Sequence, residues 1–226
     1  MCNAYNLKVR MAAIGEAVER QLGLPMLFPP GVTAETSNTP VPQAVYPRRD
    51  GLILRAADAN APLNGLEAAV AHWNLTPFFH KGPLKAWKAS TNNCRSETMA
   101  TSPAFRDAFK RRRCLIPATS FTEWTGPTGK KTAHAISRAD GGLLFLAGLW
   151  ERCLIEGEET QSYTMVMQAA DKDAGHFMSR FHTRQPIVLG AETAVLWLDV
   201  GADAAAVLNA PPEGALVADP PEPVAA

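Results

Sequence analysis

Cys2 directly follows Met1. A methionine ahead of a small residue is commonly removed, and its removal here would leave Cys2 carrying a free α-amine beside its thiol. Reference pKa values are about 7.7 to 8.0 for the amine and about 8.5 for the thiol, so an appreciable fraction of the amine is unprotonated at neutral pH. An aldehyde meeting such a 1,2-aminothiol forms a Schiff base with the amine. The thiol can then close a five-membered thiazolidine ring in an effectively unimolecular step. Taken alone, Cys2 reads as simply the residue that follows the first codon, and it is the rest of the sequence that reverses this reading. The remaining cysteines, Cys94, Cys114 and Cys153, share no Cys-x-x-Cys spacing and no zinc-finger pairing with histidine, which argues against a metal site and for reduced thiols.

The elements that must position such a nucleophile are short and numerous. Met11 to Leu22 places Ile14, Val18 and Leu22 on one helical face, with Gly23 to end it. Phe28 to Arg49, rich in Pro, Gly and Thr, reads as a wrapping loop. A second helix is expected from Ser102 as N-cap and Pro103 at the first position, through Phe105, Ala108 and Phe109, closing in the basic run Lys110 to Arg113. That run meets the C-terminal helix dipole and needs no nucleic acid to explain it. Strands are expected at Leu52 to Ala56, Ala69 to Leu75, Cys114 to Ile116, Ser120 to Trp124, Thr132 to Arg138, Leu143 to Trp150, Ser162 to Gln168 and Pro186 to Leu189, with Ala139-Asp140-Gly141-Gly142 as a hairpin turn. The pattern predicts an α+β fold: one domain with a strongly bent, mainly antiparallel, barrel-like sheet flanked by a few short helices. The domain is expected over residues 1 to 205. A loose or extended tail follows over 206 to 226, whose last part, from Ala210, holds five prolines.

Lys plus Arg and Asp plus Glu each number 22, so net charge announces no partner, but the charges are unevenly spread. Residues 81 to 138 carry twelve basic and three acidic side chains, a balance of +9, whereas 139 to 226 carry −9. That asymmetry suits one face for an anion such as a phosphate backbone, or simply a solvated face. No apolar run approaches the roughly 18 to 20 residues of a membrane span, and the N-terminus lacks a signal-peptide stretch. A cytoplasmic monomer with no membrane contact is expected.

Three further segments recur with Cys2: Asn92-Asn93-Cys94-Arg95-Ser96-Glu97-Thr98; Arg113-Cys114-Leu115-Ile116-Pro117-Ala118 running into Phe121-Thr122-Glu123-Trp124; and Phe181-His182-Thr183-Arg184-Gln185-Pro186. In this order they resemble the motifs of the SOS response associated peptidase (SRAP) family, over roughly residues 1 to 200. Ala139 to Glu151 resembles that family's central hairpin. The resemblance implies a protein that senses abasic sites in single-stranded DNA and joins its N-terminal cysteine to the ring-opened deoxyribose as a thiazolidine, protecting the strand. It needs no cofactor. It implies Cys2 as nucleophile, Asn93 as the amide that orients the N-terminus, Glu123 as a proton-transfer carboxyl, His182 as a second acid-base group and Arg95 as a phosphate contact.

The residue chemistry agrees. Partial burial between Phe121 and Trp124 would raise the pKa of Glu123 and make it a proton donor, a histidine titrates near neutrality, and an Asn donates and accepts without changing charge. Arg95 and Arg184 offer forked donors for phosphate, and Trp73, Phe78, Phe79 and Trp124 offer faces on which bases could stack. Each also has a structural alternative: a surface Glu, a satisfied His, a turn Asn, core aromatics. The chain departs from the family at Asn3-Ala4, where Gly-Arg is usual, at Trp73-Asn74-Leu75 for Trp-Gly-Leu, at Cys94 for Ala, and at Thr183, often Asp. Cys94 reads as a buried small hydrophobe. Two other readings stay open: a thiol peptidase, including one that acts on its own N-terminus, with lyase activity beside it; and a non-covalent single-stranded DNA binder.

Overall fold

In the computed structural model, residues 2–58, 61, 64–155, 157–172, 176–208 and 215–219 are described. The chain opens with β1 (Tyr5–Asn6), α1 (Met11–Leu22), β2 (Ala44–Val45), β3 (Asp50–Ala56), β4 (Leu66–Trp73) and β5 (Asn93–Arg95). It continues through α2 (Arg106–Arg111), β6 (Arg113–Ala118), β7 (Ser120–Thr125), β8 (Thr132–Arg138), β9 (Leu144–Ile155) and β10 (Glu158–Ala169). β11 (Arg184–Pro186), β12 (Val188–Leu189), α3 (Ala191–Leu198), α4 (Ala205–Leu208) and β13 (Leu216–Asp219) complete it.

Strands β3, β4, β10, β9 and β6 pair in that order, and β6 returns to β3, so five strands close into a barrel. Every pair in the ring is antiparallel except β4 with β10, and β5 adds a second parallel partner to β10. A five-stranded antiparallel sheet, β13-β8-β7-β1-β2, packs beside the ring. The expected bent, mostly antiparallel sheet is thus a closed barrel plus a second sheet.

Alternation along the ring strands feeds two cores. Leu52, Leu54, Leu115, Phe145, Ala147 and Val166 join the helix-side core, to which α1 contributes Met11, Ile14, Val18 and Leu22. Ile53, Cys114, Ile116, Leu146, Met165 and Met167 point the other way and meet Cys2, Tyr5, Phe121 and Ile136. α1 matches its expected bounds. Gly23 ends it in the left-handed region (φ 66°), donating its amide to the Glu19 carbonyl at 3.0 Å.

Three expectations are corrected. α2 begins at Arg106, because the amides of Phe105 and Arg106 both donate to the Ser102 carbonyl and form a turn ahead of it. Arg113 opens β6 and is buried, its Nε donating to the Phe109 carbonyl at 2.9 Å and its guanidinium lying 4.6 Å from the Phe109 ring centroid. The turn at Ala139 to Gly142 exists, with the Asp140 carboxylate accepting from the Gly142 amide at 2.9 Å, but it makes no hairpin. β8 pairs with β7 and β13 while β9 pairs with β6, β10 and β12, so the turn carries the chain from one sheet to the other. Beyond these three, the chain is helical at Ala205–Leu208, and Leu216–Asp219 runs extended as an edge strand on β8. The other tail residues, 209–214 and 220–226, lie outside the described residues.

Candidate functional site

The site is assembled from the start of the chain upward. Tyr5 pairs with Phe121 of β7, and the Thr122 amide donates to the Ala4 carbonyl at 2.9 Å, which carries Cys2 into the apolar space between the two sheets. Cys2 is fully buried, its thiol 3.4 Å from the Ala4 carbonyl oxygen. Across from it, β5 is held on β10 by parallel pairing of Asn93 with Met165, and the Met165 amide donates to the Asn92 carbonyl at 3.0 Å. Asn93 Nδ2 donates to the Cys2 carbonyl at 2.7 Å, while its buried Oδ1 has no hydrogen-bond partner. Asn92 Nδ2 reaches the Asn3 side-chain oxygen at 3.4 Å. Residues 2 and 3 are therefore fixed by two consecutive asparagines.

Glu123 is only 2% exposed, and its Oε1 has no hydrogen-bond partner. Burial pushes its carboxyl up to about 7. The Cys2 thiol is pushed up to about 12, first by burial and then by the charge of Glu123, which makes the two groups electrostatic neighbours. His182 is half-buried, and burial together with the Arg184 charge lowers its pKa. Its Nδ1 accepts the Arg184 amide hydrogen at 2.9 Å, so the neutral ring carries its proton on Nε2.

The expected DNA-contacting residues divide. Arg95 is exposed at the end of β5, and Trp124 (47% exposed) and Phe79 (46%) offer accessible rings, the latter packed edge-on against Phe78 and Trp87. Arg184 is already engaged, its Nη1 donating to Glu97 Oε1 at 2.6 Å. Trp73 does not serve as a stacking surface. It has no exposed area, one face lies 6.3 Å from and nearly parallel to Tyr163, Tyr5 meets it edge-on at 5.2 Å, and its indole N–H donates to the Asn92 carbonyl at 2.7 Å. It clamps from below the peptide that precedes Asn93.

Beneath Trp73, Tyr5 and Tyr163 share a buried hydroxyl–hydroxyl hydrogen bond of 2.5 Å, and a Cβ at Gly51 would collide with both hydroxyls. Sequence reasoning missed Asn92, Glu97 and His134. Asn92 and Glu97 lay within a quoted motif, but the sheet register that puts His134 opposite Glu123 left no trace in the linear pattern. Among the described residues no three His, Cys, Asp or Glu side chains gather as a metal site, and no helix is long and apolar enough to cross a membrane.

Known proteins share this arrangement of chain. The abasic site processing protein YedK of Escherichia coli is 33% identical over 129 residues, 56% of this chain and 56% of that one. The abasic site processing protein YoaM of Bacillus subtilis is 27% identical over 201 residues, 88% of this chain and 79% of that one. The match thus spans only about half of YedK but most of YoaM. A crystal structure of a Bordetella bronchiseptica protein superimposes with a TM-score of 0.74 at 29% identity, covering 96% of this chain and 98% of that one. The model of the SOS response associated peptidase (SRAP) family matches residues 1–220, and the chain belongs to that family.

Proposed function

We propose that this protein processes abasic sites in single-stranded DNA by capturing them covalently on Cys2 once Met1 is removed. The observation that carries the reading is the Cys2–Asn93–Glu123 arrangement: a backbone clamp on the nucleophile's own carbonyl, next to a carboxyl poised near neutrality. The names of the relatives support the substrate.

The steps balance without redox chemistry. As the deoxyribose hemiacetal opens, His182 Nε2 exchanges the proton that moves between its oxygens. The Cys2 amine attacks the aldehyde carbon, with the unpartnered Asn93 Oδ1 placed to accept an amine hydrogen and aim the lone pair. The carbinolamine hydroxyl leaves as water on a proton from Glu123. The Cys2 sulfur then adds to the imine carbon, its proton ending on the ring nitrogen. One C–N bond and one C–S bond form, and one water leaves. A carboxyl at about 7 both gives and takes protons at cellular pH, so the same groups serve the reverse reaction.

Arg95 is placed to take a flanking phosphate, with Arg184 joining after exchanging Glu97 for the strand, and Phe79 and Trp124 stack unpaired bases. A peptidase reading needs a thiolate–imidazole pair. The sulfur's neighbours are instead the Ala4 carbonyl, the Thr122 amide and Glu123, and burial pushes its pKa up to about 12.

The test is a single-stranded oligonucleotide bearing one abasic site, incubated with protein whose Met1 removal is confirmed by mass, and resolved on a denaturing gel. Wild type should give a denaturant-resistant adduct that Cys2→Ala does not. Wild type with a free Cys2 and no adduct would sink the reading.

A further inference from the structure

His134 is fully buried on β8 and takes no part in the chemistry above. It stands directly opposite Glu123 in the β7–β8 ladder, on the inward face that also holds Phe121 and Ile136. Directly opposed antiparallel residues have Cβ atoms about 4.5 to 5.5 Å apart, so the two side chains adjoin. The imidazole is fixed from two further directions. Nε2 lies 2.7 Å from the Thr125 hydroxyl, and the ring meets Phe181 edge-on with centroids 5.1 Å apart. Phe181 immediately precedes His182, so His134 also props the segment that carries the second acid-base group.

We infer that His134 is a positioning residue for Glu123: held by Thr125 and Phe181, its imidazole forms the polar wall of an otherwise apolar slot, orients the carboxyl toward Cys2 and sets the pH at which that carboxyl exchanges its proton. Glu123 lies between β1 and β8. From the β1 side it faces the Cys2 thiol, and beyond Phe181 come His182 and Arg184. From β8 it faces His134 itself. The carboxylate that β13 adds to this sheet, Asp219, sits opposite Ala135 and is exposed. The buried polar side chain opposite the carboxyl on β8 is therefore His134, and an apolar side chain there would disfavour the ionised form.

The inference rests on the crosslinking reading only for its kinetic arm. Glu-labelled protein without DNA, with the Glu123 resonance assigned through Glu123→Gln, reports the carboxyl titration by NMR. His134→Phe should raise the Glu123 midpoint by about one pH unit or more, and His134→Gln, which keeps a donor and an acceptor, by less than half of that. His134→Leu is the apolar variant to use should Phe not be accommodated. In the kinetic arm, the Glu123-dependent limb of adduct formation between pH 5 and 9 should move by the same amount, which a purely structural role for His134 would not produce. An unchanged Glu123 midpoint in a folded apolar variant overturns the inference. If wild type forms no adduct, the proposed function fails and the NMR titration still decides the role of His134.

Discussion

Cys2 and Cys94 are both buried thiols, and both are pushed up to about 12 with burial as the leading cause. They nevertheless belong to different regions. Cys94 follows Asn93 on β5, and strand alternation turns it to the opposite face, into the helix-side core of leucines and α1, where the buried Thr164 is a polar neighbour. Cys2 belongs to the other core, the one bordered by Glu123, His134, Tyr5 and Tyr163. Burial and an elevated pKa thus do not distinguish the proposed nucleophile from packing. What differs is the company: an ionisable carboxyl near neutrality and an asparagine clamp on one side, a hydroxyl and aliphatic side chains on the other.

The largest effect that would sharpen this contrast is at Glu123. Glu123→Gln should slow adduct formation by about 10²- to 10³-fold, read from single-turnover time courses, because a positioned proton donor is removed. The same variant separates chemistry from stability. An acid whose folded pKa is raised binds its proton more tightly when folded. Its stabilising effect is present below the unfolded value of 4.5 and is lost as pH rises to about 7. Above pH 7 the ionised, buried carboxylate therefore costs up to about 3 kcal/mol, so urea unfolding should find Glu123→Gln more stable than wild type at pH 8, with the gap closing toward pH 4.5.

A smaller contrast is expected between two aromatic residues. Trp73→Phe leaves the Asn92 carbonyl without its indole donor and should destabilise the fold by about 1 to 3 kcal/mol. Phe79→Ala should leave the melting temperature within a degree or two and weaken non-covalent single-stranded DNA binding by about 1 to 3 kcal/mol, measured in a Cys2→Ala background. If Trp73→Phe weakens DNA binding without destabilising the fold, Trp73 is a contact after all. The smallest effect belongs to Cys94→Ala, which should keep the adduct rate within about twofold of wild type at a modest cost in stability from the small cavity left. A collapse of crosslinking in that variant would erase the distinction between the two thiols.

How much of this was legible in advance follows from what each signal encodes. α1 was readable to the residue because a 3.6-residue apolar period and a terminal glycine act locally. β8 was equally readable from its alternation. The false hairpin at Asp140-Gly141 shows the limit. Turn chemistry specifies a reversal, but which strands then pair depends on distant partners, and β9 found β6 and β10 instead of β8. Trp73 was misjudged for the same reason, since an aromatic in a strand does not say which face will be covered. Cys2, Asn93, Glu123 and His182 stood out through motif order, and the structure brings Cys2, Asn93 and Glu123 together by pairings from β1, β5 and β7 that no window of sequence displays. His134 had no motif, only a register.

The barrel's closure carries a consequence for biosynthesis. β10 holds β4, β5, β9 and β11, and the parallel pairing that seats Asn93 joins residues about 70 positions apart. Contacts of such separation form late, after loop-closure entropy has been overcome. Cys2 is synthesised ahead of both strands, yet Asn93 cannot be locked in place until β10 has emerged. On the proposed function, the nucleophile is made before the clamp that arms it, so an unfinished polypeptide holds Cys2 without the machinery to use it.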